Sequence, residues 1–198
     1  MSTPASRSDW EALAASLQIN GNAFINGQYQ GAVSGDTFDC ISPIDGRVLA
    51  KVASCDLADA NMAVANAREV FEAGTWANLP PVKRKQVMIK FADLLEANAD
   101  ELALLETLDM GKPIQHSKGV DVVGAARAIR WSGEAIDKIY DEIAPTAHNE
   151  IGMITREAVG VVAAIVPWNF PMIMACWKLG PSLATGNSVI LKHSEKSP

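Results

Sequence analysis

Residues 159–198 constrain the fold of this chain more than any other stretch. An apolar run at residues 159–166 precedes a helix-forming segment, and a second apolar run follows at residues 188–191. The first run shows no alternation of polar and apolar residues, which is typical of a strand buried on both faces. A strand, one helix and a strand joined this briefly form a right-handed crossover between parallel strands. The sequence therefore predicts an α/β fold whose doubly wound parallel sheet is incomplete, because such a domain needs further strands.

Polar side chains follow both predicted strands. Trp168 and Asn169 come after the first strand, and Lys192 and Glu195 come after the second. The ends of parallel neighbouring strands lie at one edge of the sheet, and open α/β sheets bind their ligands there. We therefore expect these residues to converge on a ligand site, with packing as the alternative role for Trp168.

Asn169 offers a carboxamide donor at a fixed place. Pro167 and Pro171 stand on either side of it and restrict the backbone. A stiff amide N–H at a strand end suits the stabilisation of a developing oxyanion. The alternative is that Asn169 caps the helix that Pro171 helps to start, and the local sequence by itself favours this second role.

Lys192 and Glu195 stand where nucleotide-binding folds place the groups that hold an adenosine ribose. A carboxylate there accepts hydrogen bonds from the ribose diol, and a neighbouring lysine can bond the same diol or tolerate a phosphate on it. An exposed ion pair of little energetic value is the alternative. Neither G-x-G-x-x-G nor G-x-x-x-x-G-K-[ST] occurs in the sequence, so a pyrophosphate would need another helix terminus.

The composition bounds the class of protein. With 198 residues, 48% apolar and 20% charged, the chain has the balance of a soluble globular protein. Its net charge of −6 argues against nucleic-acid and anionic-membrane partners. The short basic cluster Lys83-Arg84-Lys85 is interpreted as the solvated face of a helix. No segment has membrane-spanning length and the N-terminus lacks the apolar stretch of a signal peptide, so we expect a cytoplasmic protein.

The cysteines Cys40, Cys55 and Cys176 are scattered and lack metal-ligand spacing. This pattern argues against a disulfide framework and against a zinc site. Cys176 lies in a helical pattern, where we expect a buried thiol. A free-standing thiol enzyme that uses Cys176 is the alternative interpretation.

Upstream of these strands, the sequence predicts a helix at residues 10–17 with Asp9 as its cap, and a small β element at residues 23–53 with turns at Asn26-Gly27 and at residues 43–46. Long helices follow at residues 56–74, 81–111 and 122–140, and an exposed strand or hairpin follows at residues 150–157. The apolar helix faces are interpreted as core. Their members include Ala67, Phe71, Val87, Phe91, Leu94, Leu108, Val122, Ala126, Ile129 and Tyr140.

Several motifs together carry a family resemblance. They are Ile165-Val-Pro-Trp-Asn-Phe-Pro171, Trp177-Lys-Leu-Gly-Pro181, Ala184-Thr-Gly-Asn187, Leu191-Lys-His-Ser-Glu195, Phe24-Ile-Asn-Gly27, Glu106-Thr-Leu-Asp109 and Gly111-Lys-Pro113. These motifs resemble those of the NAD(P)-dependent aldehyde dehydrogenase superfamily over essentially the whole chain. Within it, residues 101–109 and 125–131 are similar to the γ-glutamyl-γ-aminobutyraldehyde dehydrogenases of putrescine breakdown.

The resemblance implies roles for the polar residues at the strand ends. Asn169 would donate to the oxyanion of a thiohemiacetal, and Lys192 and Glu195 would hold the adenosine ribose of NAD or NADP. His193 departs from the family, which commonly has proline there, and this change could loosen the loop that carries Glu195.

The resemblance also implies a cofactor groove and a cation site. Ile165, Val166 and Trp168 would line the groove, partly through their backbone. A monovalent cation would be held near Ile41 and Asp109.

A division of the chain follows from the same resemblance. Residues 1–140 would form the N-terminal helical and β part of the cofactor-binding domain, residues 141–158 an extended oligomerisation arm, and residues 159–198 the first β-α-β unit. A complete member would be a homo-oligomer that acts on a small aldehyde.

Complete members of the family are much longer, and their nucleophilic cysteine, glutamate base and glycine-rich segment have no counterpart in this chain. A complete parent enzyme would oxidise an aldehyde to a carboxylic acid, whereas these residues alone are expected to be inactive. The alternative hypothesis is a natural, non-catalytic half-length protein that binds nucleotide weakly or associates with full-length subunits through residues 141–158.

Overall fold

The computed structural model describes residues 6–198, which combine antiparallel hairpins, long helices and one parallel pair of strands. The helices are α1 (Arg7–Ser16), α2 (Leu57–Glu72), α3 (Pro81–Ala97), α4 (Ala99–Met110), the short α5 (Ile114–His116), α6 (Val123–Ala135) and α7 (Pro171–Ala184), and a π-helical segment (Ser117–Val122) precedes α6. The strands are β1 (Ala23–Ile25), β2 (Gln28–Gln30), β3 (Thr37–Ile41), β4 (Val48–Ala53), β5 (Glu142–Ala144), β6 (Gly152–Ile154), β7 (Val161–Ile165) and β8 (Ser188–Lys192).

Helix α1 begins earlier than the sequence predicted. The Ser6 hydroxyl accepts from the Asp9 N–H at 3.2 Å, and the Asp9 carboxylate accepts from the Ser6 N–H at 3.0 Å. Asp9 is therefore the acidic member of a capping box, and the prediction that it is the cap was wrong. The portion of the N-terminal segment at residues 1–5 lies outside the described residues.

The predicted turns of the small β element are confirmed. Asn26 and Gly27 join β1 to β2 with φ angles of 53° and 73°, and two consecutive left-handed residues form the turn that matches the twist of a two-stranded hairpin. The turn at residues 42–46 joins β3 to β4, and the register of this second hairpin shifts between Cys40 and Ile41.

The long helix predicted at residues 81–111 is two helices, α3 and α4. Asn98 separates them with φ −106° and ψ 23°. Its carboxamide donates to Leu94 O at 2.8 Å, so the side chain competes with the regular helical hydrogen bonds at this point. The apolar periodicity continues across the break, which is why the sequence pattern did not show it.

The core lies where α3, α6 and α7 meet. Met88 and Ala92 face it, whereas the predicted core residues Val87 and Leu94 are about half exposed. Tyr140, also predicted as core, is exposed because α6 ends at Ala135. The buried cluster consists of Met88, Ala92, Ala125, Ile129 and Cys176.

The basic cluster at residues 83–85 is not a fully solvated face, contrary to the prediction. The Arg84 guanidinium donates to three backbone oxygens, those of Ala77, Leu79 and Ala184, at 3.0, 3.2 and 3.1 Å. Arg84 therefore ties α3 to the end of α7.

Strands β5 and β6 form an antiparallel hairpin within residues 141–158. Strand β6 lies in residues 150–157, where an exposed strand or hairpin was predicted, whereas its partner β5 lies before that range. The apolar side chains of the hairpin face solvent, notably Ile143, Ile151 and Met153. An uncovered apolar hairpin edge is the kind of surface that another chain can cover. The use of this segment as an oligomerisation arm stays a prediction.

Strands β7 and β8 pair in parallel and are joined by α7, as predicted, with Val161 opposite Ser188 and Ile165 opposite Lys192. Helices α2 and α7 both pack against the pair. Strand β7 is not buried on both faces: Ala164 is 4% exposed, whereas its neighbour Ile165 is 72% exposed. Successive residues of a strand point to opposite faces, so the face that carries Ile165 is open at the carboxyl end of β7 among the described residues, while Val161 on the same face is half-buried.

Candidate functional site

The strand ends meet as the sequence predicted. The Val166 N–H donates to Lys192 O at 3.0 Å, which extends the β7–β8 ladder by one step. The segments that follow β7 and β8 therefore leave the sheet side by side. They bring Trp168 and Asn169 to the same edge as Lys192 and Glu195.

Asn169 does not cap α7. The N-cap position belongs to Phe170, and no side chain makes a capping hydrogen bond there. Asn169 is exposed, and its carboxamide has no hydrogen bond to any residue in the described part of the chain. The alternative role as a cap is therefore wrong, and the amide is free to donate to a ligand.

Lys192 and Glu195 form a loose and exposed pair. Lys192 Nζ lies 3.9 Å from Glu195 Oε2, and the two side chains are 63% and 70% exposed. The pKa of Glu195 lies below its ordinary value, first because its own backbone N–H bonds the carboxylate and then because Lys192 and Lys196 are close. The carboxylate is therefore ionised and open to solvent at neutral pH.

The loop that carries Glu195 is a tight turn. The Ser197 N–H donates to Ser194 O at 3.2 Å, and the Lys196 N–H donates to the Ser194 hydroxyl at 3.2 Å. A ring nitrogen of His193 lies 3.0 Å from Ser194 O. Ser194 and Ser197 are buried, so the turn packs closely with histidine at the position where the resemblance leads us to expect proline.

The apolar residues predicted to line a cofactor groove lie at the same sheet edge as Lys192 and Glu195, but they differ in exposure. Ile165 and Trp168 present their side chains to solvent at the sheet edge. The Val166 side chain is buried, so this residue can reach a ligand only through its backbone. Exposed apolar side chains beside the solvent-exposed Lys192 and Glu195 fit a nucleoside, whose base is apolar on its faces and whose ribose offers hydroxyl donors.

Ile41 and Asp109, the residues predicted to lie near a monovalent cation, are brought close through Cys40. The Cys40 thiol donates to Asp109 Oδ1 at 3.1 Å. Burial raises the pKa of Asp109, while the Cys40 hydrogen bond and the proximity of His193 oppose that rise. Within residues 6–198, no three His, Cys, Asp or Glu side chains cluster as metal ligands. The cation site stays a prediction.

The thiols of the described residues are not poised as nucleophiles. Cys40 and Cys176 are buried, and burial raises the pKa of each to about 12. Cys55 is exposed, but partial burial and the carboxylates of Asp59 and Asp56 also raise its pKa. Because the thiolate is the reactive form, these environments contradict the alternative of a free-standing thiol enzyme at Cys176.

The sequence reasoning missed a buried charged cluster next to this edge. Lys112 Nζ lies 3.1 Å from Glu106 Oε1, 2.5 Å from Asp121 Oδ2 and 4.3 Å from the centroid of the Phe170 ring. Burial and the nearby Asp121 raise the pKa of Glu106 to about 7. One signal was present: Glu106 follows Ala103 by three positions and so lies on the buried face of α4.

An open groove of about 470 Å³ runs along the outer faces of α6 and α7. Its lining is mostly apolar and includes Trp131, Trp177 and Pro181. Arg127 contributes the one charged side chain of this lining, and it is exposed with no ion pair to the described residues. Trp177 lies six residues after the first residue of α7, so the groove is roughly 9 Å along the helix from the Asn169 end.

Within the described part of the chain, no helix is both long enough and apolar enough to cross a bilayer.

Known proteins match this chain over nearly all of its length. The NADP/NAD-dependent aldehyde dehydrogenase PuuC of Escherichia coli K12 is 58% identical over 189 residues, which is 96% of this chain and 38% of that protein. The crystal structure of γ-glutamyl-γ-aminobutyraldehyde dehydrogenase from Burkholderia cenocepacia is 60% identical with a TM-score of 0.95, and the match covers 96% of this chain and 39% of that one. A structure of the P. syringae indole-3-acetaldehyde dehydrogenase AldA, a C302A mutant in complex with NAD+ and IAA, is 68% identical with a TM-score of 0.97, over 98% of this chain and 39% of that one.

The chain thus spans about two fifths of the length of the relatives that it matches. The structural neighbours show that its α/β architecture is the aldehyde dehydrogenase fold, and the predicted resemblance is confirmed. A sequence profile described as the aldehyde dehydrogenase family matches residues 29–198. On these grounds, the chain belongs to the aldehyde dehydrogenase family.

Proposed function

We propose that the protein that contains these residues oxidises an aldehyde to a carboxylic acid with NAD or NADP as the electron acceptor. The observation that carries this proposal is the free carboxamide of Asn169 at the edge where β7 and β8 end, next to the exposed Lys192 and Glu195. The AldA and PuuC relatives support it, because one was solved with NAD+ and the other is described as NADP/NAD-dependent.

Asn169 acts as the oxyanion donor in this proposal. Its side-chain N–H group stands just before α7 and donates to no acceptor of the described residues, so it can bond an oxygen on which negative charge develops. The stabilisation is greatest when the donor is already in place, because no reorganisation is then needed as charge appears. The nicotinamide cofactor supplies the chemistry of hydride acceptance when it is bound.

Lys192 and Glu195 hold the ribose of that cofactor. Glu195 is ionised and accepts from the ribose hydroxyls, while Lys192 donates to them. Their separation of 3.9 Å leaves each with unused hydrogen-bonding capacity. The lysine also tolerates a phosphate on the ribose, so these two residues do not by themselves separate NAD from NADP.

The substrate that we propose is γ-glutamyl-γ-aminobutyraldehyde, an intermediate of putrescine breakdown. This aldehyde carries a carboxylate at its far end, and Arg127 is an unpaired guanidinium in the groove along α7. A guanidinium and a carboxylate form strong paired hydrogen bonds. The relatives from Burkholderia cenocepacia and E. coli support this choice.

Indole-3-acetaldehyde is a second candidate substrate. The groove includes Trp131 and Trp177, whose rings can pack against an indole. The AldA relative, named for this aldehyde, is 68% identical.

Arg127→Met separates the two candidates. With the γ-glutamyl aldehyde, loss of the charged contact should raise KM by roughly tenfold to a hundredfold. With indole-3-acetaldehyde, KM should stay within about twofold because that substrate has no distal charge. Formation of reduced cofactor by the protein from its native gene is the measurement. No reduced cofactor with any aldehyde would contradict the proposed activity itself.

Residues outside this chain supply the nucleophile and the general base in the proposal, since the described thiols are buried or have raised pKa values. The residues of this chain alone are then inactive. The alternative is a half-length protein that binds nucleotide weakly or joins full-length subunits through the β5–β6 hairpin. The intact mass of the product of the native gene decides between them: a mass of 21.1 kDa favours the half-length protein, and a mass more than twice as large favours the enzyme.

A further inference from the structure

Lys112 joins three parts of the chain at one point. Its ammonium bonds Glu106 from α4 and Asp121 from the π-helical segment, and it faces the ring of Phe170. The carboxylate side chains are 3% and 1% exposed, and the lysine side chain is 17% exposed. A cation held in this way between two buried carboxylates has little freedom to move.

The position of Lys112 is set by the backbone before it. Gly111 ends α4 in the left-handed conformation, with φ 70°, and Pro113 follows the lysine. An added Cβ at Gly111 would lie 3.0 Å from the Pro43 ring, so the turn is closely packed as well as left-handed. The chain therefore leaves α4 by one fixed route, which directs Lys112 back toward α4 and across to Phe170.

Phe170 is the side chain through which this cluster reaches the candidate site. It directly follows Asn169, and its carbonyl accepts from the Met174 N–H at 2.9 Å in the first turn of α7. Residues 167–170 are exposed, and no side-chain hydrogen bond from them to the described residues holds the segment in place. The ring of Phe170 on the Lys112 ammonium is thus an anchor between the end of β7 and the start of α7.

We propose that Lys112 is a positioning residue for Asn169. Glu106 and Asp121 fix the ammonium, the ammonium holds the Phe170 ring, and the ring sets where the preceding carboxamide stands. This inference rests on the proposed function, since it assigns to Lys112 an effect on the oxyanion donor. Lys112 itself touches no reacting atom.

Lys112→Met tests the proposal, with Lys118→Met as the matched control. Lys118 also pairs with a carboxylate, Asp100, and stands 5.8 Å from the ring centroid of Trp10, but it has no contact with Phe170. In the protein from its native gene, Lys112→Met should lower kcat by about tenfold to a hundredfold, because misplacement by about 1 Å has effects of this order. The KM for the cofactor should stay within about twofold, and Lys118→Met should leave both constants unchanged.

The conservative variant and a double-mutant cycle exclude a merely structural effect. Lys112→Arg keeps a cation over the ring and should restore most of kcat. Phe170→Leu leaves the buried charges intact, and combined with Lys112→Met it should lower kcat no further than the larger single effect. Independent, additive losses would overturn the proposal, and so would a Lys112→Met enzyme with unchanged kcat.

The triple variant Glu106→Gln, Lys112→Met, Asp121→Asn keeps the test valid if the single variant does not fold, because it removes all three buried charges together. It should show the same loss of kcat.

Backbone exchange gives a readout that does not depend on activity. The Met174 amide donates to Phe170 O and should exchange faster in Lys112→Met, but not in Lys118→Met. If the wild-type protein oxidises no aldehyde, the proposed function fails while this measurement still reports on the anchor. Unchanged exchange at Met174 would overturn the positioning role by itself.

Discussion

Lysine and carboxylate groups meet at two places near the ends of β7 and β8, and the two places differ in burial. Lys112 sits between Glu106 and Asp121 in the interior, at 3.1 and 2.5 Å. Lys192 and Glu195 face solvent at 3.9 Å from each other. Ammonium and carboxylate groups thus form a buried contact in the first place and a solvent-exposed pair in the second.

The pKa values of the carboxylates follow this difference in opposite directions. Burial raises the pKa of Glu106 to about 7, with Asp121 adding to the rise and Lys112 opposing it. Glu195 is solvated, and its own backbone N–H with Lys192 and Lys196 lowers its pKa. Burial therefore decides which carboxylate is held as part of the structure and which is available to a ligand.

The largest expected effect is on stability. Lys112→Met leaves two buried carboxyl groups without their cation and should lower the free energy of unfolding by about 3–5 kcal/mol. Lys192→Met removes an exposed partner and should leave the free energy of unfolding unchanged. Urea denaturation of the two variants measures both. Equal effects would break the distinction between the buried and the exposed group.

A pH dependence of stability should follow from Glu106. Its pKa rises from 4.5 to about 7 on folding, so between these values the folded state binds more protons than the unfolded state. The free energy of unfolding should therefore fall as pH rises from about 4.5 to about 7, with the full contribution of this group present below 4.5.

Glu106→Gln is the variant that checks this slope. It removes the titrating group, while Asp121, Lys112 and the nearby Cys176 stay in place. Urea unfolding at several pH values should show a flatter profile for the variant than for the wild type in this window. Parallel profiles would contradict the assignment of the slope to Glu106.

A smaller effect is expected for cofactor binding at the exposed pair. Glu195→Gln keeps the shape of the side chain but removes its charge, and it should raise the Kd for the cofactor by about tenfold, as loss of one charged hydrogen bond does. Asp39→Asn is a matched control, because Asp39 forms an exposed pair with Lys51 in the β3–β4 hairpin, which is a separate sheet from β7 and β8. Calorimetric titration measures both, and equal Kd values for the two variants would contradict the ribose-binding role.

Local signals predicted much of the fold. The Asn26-Gly27 turn and the parallel β7–α7–β8 unit were both predictable because the determining residues are neighbours in sequence. The break at Asn98 was not, since one polar side chain that bonds Leu94 O left the apolar pattern unchanged. The exposure of Ile165 on β7 was also missed, because an apolar run records hydrophobicity and not which elements cover it.

The residues of the candidate site also differ in whether the sequence could predict their positions. Asn169, Lys192 and Glu195 could be placed from strand order alone, because parallel strands end at one edge. Lys112 could not, because its partners lie on α4, on the π-helical segment and before α7, and each charge taken singly is typical of a solvated surface. The burial that gives this cluster its properties is a tertiary feature that no local pattern contains.

We have proposed that the edge where β7 and β8 end carries the oxyanion donor of an aldehyde oxidation. Steady-state kinetics and cofactor titration of Asn169→Ala in the protein from its native gene test it most directly. We expect kcat to fall by about 100-fold to 1,000-fold, as for loss of one oxyanion donor, while the cofactor Kd stays within about twofold. An unchanged kcat would rule out the oxyanion role of Asn169.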